Sequence, residues 1–233
     1  MKDPKNIDRT IVQLSNCPIH SDIRIQSCFV TCILLTYDSV NIGLKRYLDP
    51  KYIPSDQDII MARIKTTGIN KTKLNFNGIE ANLYDIGGTR SERKKWIHVF
   101  DNVNAIVFVV DIAAGGQVCE CGANRTLEDI ALFDSIVNSK WFLHTHFILL
   151  FTKVDKLKTE LRIAPIKRFF PDFEGDETSI EDVKTYMERR FLELNKVSGR
   201  HVEVMFASFF YNPKLCGQKV LDRLSKLLPN RDD

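Results

Sequence analysis

Two continuous apolar runs, Ala105 to Ile112 (AIVFVVDI) and His146 to Phe151 (HFILLF), constrain this chain more than any other feature. A strand with apolar side chains on both pleats must be covered on both faces, and such strands belong to parallel sheets flanked by helices. Around them, strand and helix patterns alternate from about residue 72 onward. Residues 73–77 and 80–85 flank Asn77-Gly78, a tight-turn dipeptide, and predict a hairpin. His201 to Ser208 (HVEVMFAS) supplies another strand, and 127–140, 180–195 and 214–228 carry helical periodicity. The fold class is therefore α/β, with a mostly parallel sheet and helices on both faces.

Sheets of this kind bind ligands beyond the carboxyl ends of their strands. The strand tails are Asp85-Ile86-Gly87-Gly88, Asp111, Thr152-Lys153-Val154-Asp155 and Ala207-Ser208. A strand ending in Asp-x-Gly-Gly suits a magnesium phosphate, since the carboxylate reaches a cation and glycines let backbone N–H groups approach an anion. It equally suits a plain glycine turn. Asp155 could accept from two ring N–H groups of a guanine while the Lys153 stem packs over the base, or both could be solvated charges.

Composition excludes several classes. The 33 basic residues are nearly matched by 30 acidic ones, so no broad electrostatic case for nucleic acid exists. The apolar runs are too short to span a bilayer, and MKDPKN lacks the apolar stretch of a signal peptide. Six scattered cysteines suit reduced thiols in a cytoplasmic protein, and Cys119-x-Cys121 has no second pair to complete a zinc set.

The order and spacing of the tails resemble heterotrimeric G-protein alpha subunits. YDIGGTRSERKKWIHVFDN, Tyr84 to Asn102, is similar to that family's second switch, DVGGQRSERKKWIHCFE. YIPSDQDIIMARIKTTGI is similar to its first switch and approach. NRTLEDIALFDSI, NSKWF, FFPDFEG and FLELN come next in matching order, so the likeness runs from about Ile25 to Leu228.

The resemblance implies GTP/GDP and Mg2+ as cofactors, and GTP hydrolysis as the activity. Arg63 matches the arginine supplied in cis to stabilise charge on the transferring phosphoryl. Thr66 and Asp85 match the magnesium ligands, and Gly88 the glycine whose N–H senses the γ-phosphate. Lys153 and Asp155 match the guanine-reading pair, with Ala207 in the second guanine loop. Arg90, Glu92, Arg93, Lys94, Lys95, Trp96 and His98 match the helix that rearranges between nucleotide states and meets a beta-gamma dimer or effector. Trp96 also reads as a half-buried anchor. The implied partners are the beta-gamma dimer and a receptor or effector, with a place at the inner face of the plasma membrane through them.

Departures from the pattern bear on chemistry. The chain contains no Gly-x-x-x-x-Gly-Lys-Ser/Thr, the loop that cradles phosphates. Thr89 stands at the water-orienting glutamine, Thr152 at the asparagine of Asn-Lys-x-Asp, and Ala207-Ser208-Phe209-Phe210 at the guanine loop Thr-Cys-Ala-Thr. The expected organisation is a partial helical-domain remnant over 1–57 and an incomplete Ras-like domain over 58–233 that lacks its first strand and phosphate loop. Phe29 to Thr36 reads as a helix, or as cover for the resulting gap. Three readings remain open: a GTP switch whose upstream part lies outside these residues, a nucleotide-independent module that engages beta-gamma or effectors through its second switch, and a remnant that folds poorly.

Overall fold

Asn77 and Gly78 both take positive φ, 49° and 76°, the pairing that a type I′ turn requires. They join β2 (Ile69–Phe76) to β3 (Ile79–Gly87) as the expected hairpin. This computed structural model describes residues 9–15, 49–54, 66–118, 122–209 and 213–228. The chain forms two compact units, Met1–Cys17 with Thr66–Asp233, and Pro18–Lys65. In the second unit the described residues form a turn in which Lys51 and Tyr52 donate their backbone N–H groups to Asp49. Arg63, Phe29 to Thr36, Cys119 and Cys121 lie outside the described residues.

Among the described residues, six strands make one sheet in the order β2-β3-β1-β4-β5-β6. β4 (Val103–Asp111), β5 (His146–Thr152) and β6 (Val202–Phe206) run parallel to one another, and β2 alone is antiparallel to its neighbour. The mostly parallel sheet expected from the apolar runs is present, as is the Ras-like strand arrangement that the resemblance implies.

Its central strand corrects the expectation that the first strand is missing. β1 (Arg9–Ser15) sits between β3 and β4 and pairs in parallel with both. Ile11 opposes Leu83 and Ala105, and Val12 opposes Tyr84 and Ile106. Both side chains are fully buried, Val12 in the core of one face and Ile11 in that of the other. Residues 9–15 thus belong to the sheet and not to a separate helical remnant, and the gap between β3 and β4 is filled.

On the first face, α2 (Arg125–Val137), α3 (Val154–Ile163) and α4 (Ile180–Leu192) contribute Phe133, Leu157 and Phe191 against Ile106, Phe108, Leu149 and Phe151. On the other, α5 (Pro213–Leu227) and the residue after it place Leu224 and Leu228 near Ala105, Val107, Ile148 and Leu150. Each buried Phe or Leu contributes about 1.5–3 kcal/mol, so this two-sided core holds the strand ends in register. Among the described residues, no helix is long and apolar enough to cross a membrane.

Candidate functional site at the strand ends

Because β1, β3, β4, β5 and β6 are parallel, all their carboxyl ends open on one edge of the sheet. Asp85, Asp111, Lys153, Asp155 and Ser208 all belong to that edge. Asp85 and Asp155 were expected there together, and they are.

At the end of β3 the backbone is crowded. A Cβ on Gly87 would stand 2.6 Å from the Thr66 carbonyl oxygen and 2.8 Å from the Glu92 side chain. Only glycine fits, and the reason is close approach within the protein. Gly87 accepts from the Trp96 indole at 2.8 Å, and Gly68 donates its N–H to Glu92 Oε2 at 2.6 Å. Thr66 therefore runs alongside the strand that carries Asp85. Burial pushes the Asp85 carboxyl above its ordinary 3.8, a cost that a hard cation would offset. One carboxylate and one hydroxyl form the sparse set that Mg2+ uses when phosphate and water complete its shell. Asp85 and Thr66 have side chains of the kind that could hold the ion.

The segment that resembles a second switch comes next as a short helix, α1 (Arg90–Arg93), and a 3-10 turn over Trp96–His98. Thr89 is buried, shares its hydroxyl with Ser91 at 3.2 Å, and opens the helix by accepting from the N–H groups of Glu92 and Arg93. The helix is fastened to α2 by Glu128. Arg90 contacts both Glu128 oxygens, at 3.3 and 2.9 Å, while Arg93 donates to Glu128 at 2.9 Å and to the Gly88 carbonyl at 3.0 Å. Hydrogen bonds from Arg90, then Arg93, hold the Glu128 carboxyl below its ordinary 4.5. Glu128 escaped the sequence reading because nothing local marks a helical glutamate as the partner of arginines 35 and 38 residues away.

Trp96 is corrected from a partner-facing residue to a core residue. It is 4% exposed and packs beside Phe100, whose ring meets Phe142 edge-on. Lys94, Lys95, Ile97 and His98 are exposed around it, as are Arg90 and Ser91 earlier in the segment, and Lys95 pairs with Glu92 at 2.7 Å.

On the other side, β5 ends at Thr152, whose hydroxyl donates to the Val110 carbonyl. Lys153 then adopts left-handed backbone, φ 59° and ψ 33°, and opens α3. Its ammonium meets Asp111 Oδ2 at 2.5 Å. Asp155, in the first turn of α3, accepts a hydrogen bond from the Ser208 hydroxyl. Ala207, expected in the second guanine loop, has its N–H committed to the Phe151 carbonyl at 2.8 Å. A cavity of about 30 Å³ lined by Ile112, Thr126, Leu157, Leu161, Phe170 and Met187 is far too small for a nucleotide.

The comparisons with known proteins agree with this layout. The family model described as G-protein alpha subunit matches residues 4–220. The G-protein complex alpha subunit gpaA of Aspergillus fumigatus is 41% identical over 168 residues, 70% of this chain and 47% of that protein. A guanine nucleotide-binding protein alpha-1 subunit of Neurospora crassa is 38% identical over 194 residues, 79% of this chain and 54% of its own length. The chain thus spans about half the length of these relatives. With a six-stranded sheet among the described residues and a family match over nearly its whole length, the chain belongs to the G-protein alpha subunit family.

Proposed function

We propose that this chain is an alpha-subunit-type transducer of receptor-coupled signalling that offers its second switch to a beta-gamma dimer or effector. We propose further that it holds guanine nucleotide and Mg2+ weakly and turns GTP over negligibly. The clamp that Glu128 places on Arg90 and Arg93 carries the first part. It fixes the segment against α2 and leaves Lys94, Lys95, Ile97 and His98 outward. A partner surface on a preset backbone loses less ordering entropy on binding. The partner would bring the chain to the inner face of the plasma membrane.

The nucleotide part rests on β1 and the residues directly after it. A phosphate loop is a strand, a glycine-rich turn and a helix. Here β1 supplies the strand, but the chain continues Asn16-Cys17-Pro18-Ile19-His20-Ser21 and has no glycine before Gly43. The cradle's charge-assisted hydrogen bonds are each worth roughly 1.5–3 kcal/mol, so several together contribute on the order of 5 kcal/mol or more. Affinity without them falls to about the high micromolar range or weaker. Thr66, Asp85 and Gly88 would serve the magnesium and γ-phosphate side, and Lys153 and Asp155 the base. Mg2+, when bound, supplies charge neutralisation between phosphates. Arg63 would supply positive charge, while the buried Thr89 hydroxyl, already shared with Ser91, has no reach to orient water.

Titration of the purified chain with a fluorescent guanine nucleotide and Mg2+, repeated on Asp155→Ala, tests this. Weak binding that Asp155→Ala abolishes supports it. Nanomolar binding would overturn the weak-nucleotide reading and make the chain a working GTP switch. Beta-gamma capture without any nucleotide uptake favours the nucleotide-independent module, a second reading that the glycine-free segment after β1 supports.

A further inference from the structure

We propose that Asp111 is the positioning residue of the base-reading edge, anchoring the Lys153 ammonium so that the lysine stem and Asp155 are held ready for a guanine ring. The inference rests on reading this edge as a guanine-nucleotide site. Asp111 closes β4 opposite Thr152, the residue before Lys153, so an aspartate there lies directly beside a lysine that leaves β5. Its side chain is 4% exposed. A carboxylate that deeply buried needs charged and hydrogen-bonding partners. Oδ2 takes Lys153 Nζ at 2.5 Å and lies 3.9 Å from Arg125 Nη1, while Oδ1 accepts the Ala113 N–H at 3.2 Å. Arg125, itself buried, donates to Gln117, so Lys153 is the close cation of the group.

The pairing also bears on backbone. Lys153 occupies the left-handed region that residues with a Cβ seldom adopt. That conformation turns the chain from β5 into α3 and sets where Asp155 points. With Nζ tied to the end of β4 and Cα at the end of β5, the lysine stem lies across the strand ends. Asp155 is fixed in turn by the Ser208 hydroxyl from the loop after β6. One side-chain contact thus joins the end of β4 to Lys153 at the end of β5, and another joins Asp155, two residues on, to the loop after β6. A rigid, prealigned acceptor and apolar wall discriminate bases better than mobile ones.

NMR titration of the wild-type chain with GDP or ADP and Mg2+, together with Asp111→Asn and Lys153→Met, tests the proposal. Wild type is expected to favour GDP. Asp111→Asn should weaken GDP binding about tenfold, the weight of about one charge-assisted hydrogen bond, and narrow the GDP-over-ADP ratio. Lys153→Met keeps the stem but removes the anchored charge, so it should narrow the ratio as well; an unchanged ratio in this variant would show that the stem alone suffices and overturn the proposal. The slowly exchanging Nζ signal of an anchored lysine ammonium should appear in the wild type and vanish in Asp111→Asn. Its persistence in Asp111→Asn, or its absence from wild type, also overturns the proposal. Should Asp111→Asn not fold, the wild-type ammonium signal and Lys153→Met carry the decision. A wild type that takes up neither nucleotide overturns the nucleotide reading, and the ammonium signal then decides separately whether Asp111 anchors Lys153.

Discussion

The Trp96 indole N–H donates to the Gly87 carbonyl at 2.8 Å, tying the segment after β3 back to the strand from which it departs. The side chain is 4% exposed and sits in the larger core. Trp96→Ala should destabilise the fold by about 3–5 kcal/mol, the range for deleting a buried aromatic. Trp96→Phe, which keeps apolar volume but strands the Gly87 carbonyl, should cost about 1–3 kcal/mol. Urea unfolding of the two variants checks both values. A loss below about 1 kcal/mol for Trp96→Ala would put the indole outside the core.

Partner binding should depend on the residues around Trp96. Ile97 is 54% exposed, and Lys94 and His98 are exposed beside it. Ile97→Asp and Lys94→Glu should each lower capture of a beta-gamma dimer about tenfold or more, as for anchors in an interface centre. Their unfolding midpoints should stay within experimental error of wild type. Undiminished capture by both would remove this surface from the proposed interface.

Glu128 predicts a pH dependence of defined sign. Its carboxyl is held below 4.5 by Arg90 and Arg93. A group depressed in the folded state stabilises above its unfolded value and loses that contribution as pH falls through the folded one. Hydrogen exchange across residues 90–98 should therefore show protection at neutral pH that is lost below about 4.5 once intrinsic exchange is corrected. Glu128→Gln should give faster exchange at pH 7 and a flatter profile. Identical profiles for the two proteins would mean that Glu128 does not hold residues 90–98.

The central position of β1 is testable by truncation at Ile11. This side chain is fully buried on the face opposite Val12. Ile11→Ala should cost about 2–5 kcal/mol, and Val12→Asp, which buries a charge between helix and sheet, should prevent folding. Near-wild-type stability of Ile11→Ala in urea unfolding would contradict a strand between β3 and β4.

By itself the sequence determined what strong local patterns encode. The runs at 105–112 and 146–151 could bury both faces only as inner strands, Asn77-Gly78 dictated a hairpin, and the residues that resemble a second switch stand as one block. β1 was not legible, because Arg9, Thr10 and Gln13 interrupt its apolar residues and only pairing with β3 and β4 makes RTIVQLS a strand. Tertiary structure alone decided that Trp96 faces inward, since the register of a short helix is set by what packs beneath it. It alone brought Glu128 to Arg90 and Arg93, and Asp111 to Lys153, across 35 to 42 residues of chain. Apolar periodicity is a local signal that survives in one dimension. Charge pairing depends on which strand ends and helix faces become neighbours, and the parallel sheet creates those neighbours only after it has formed.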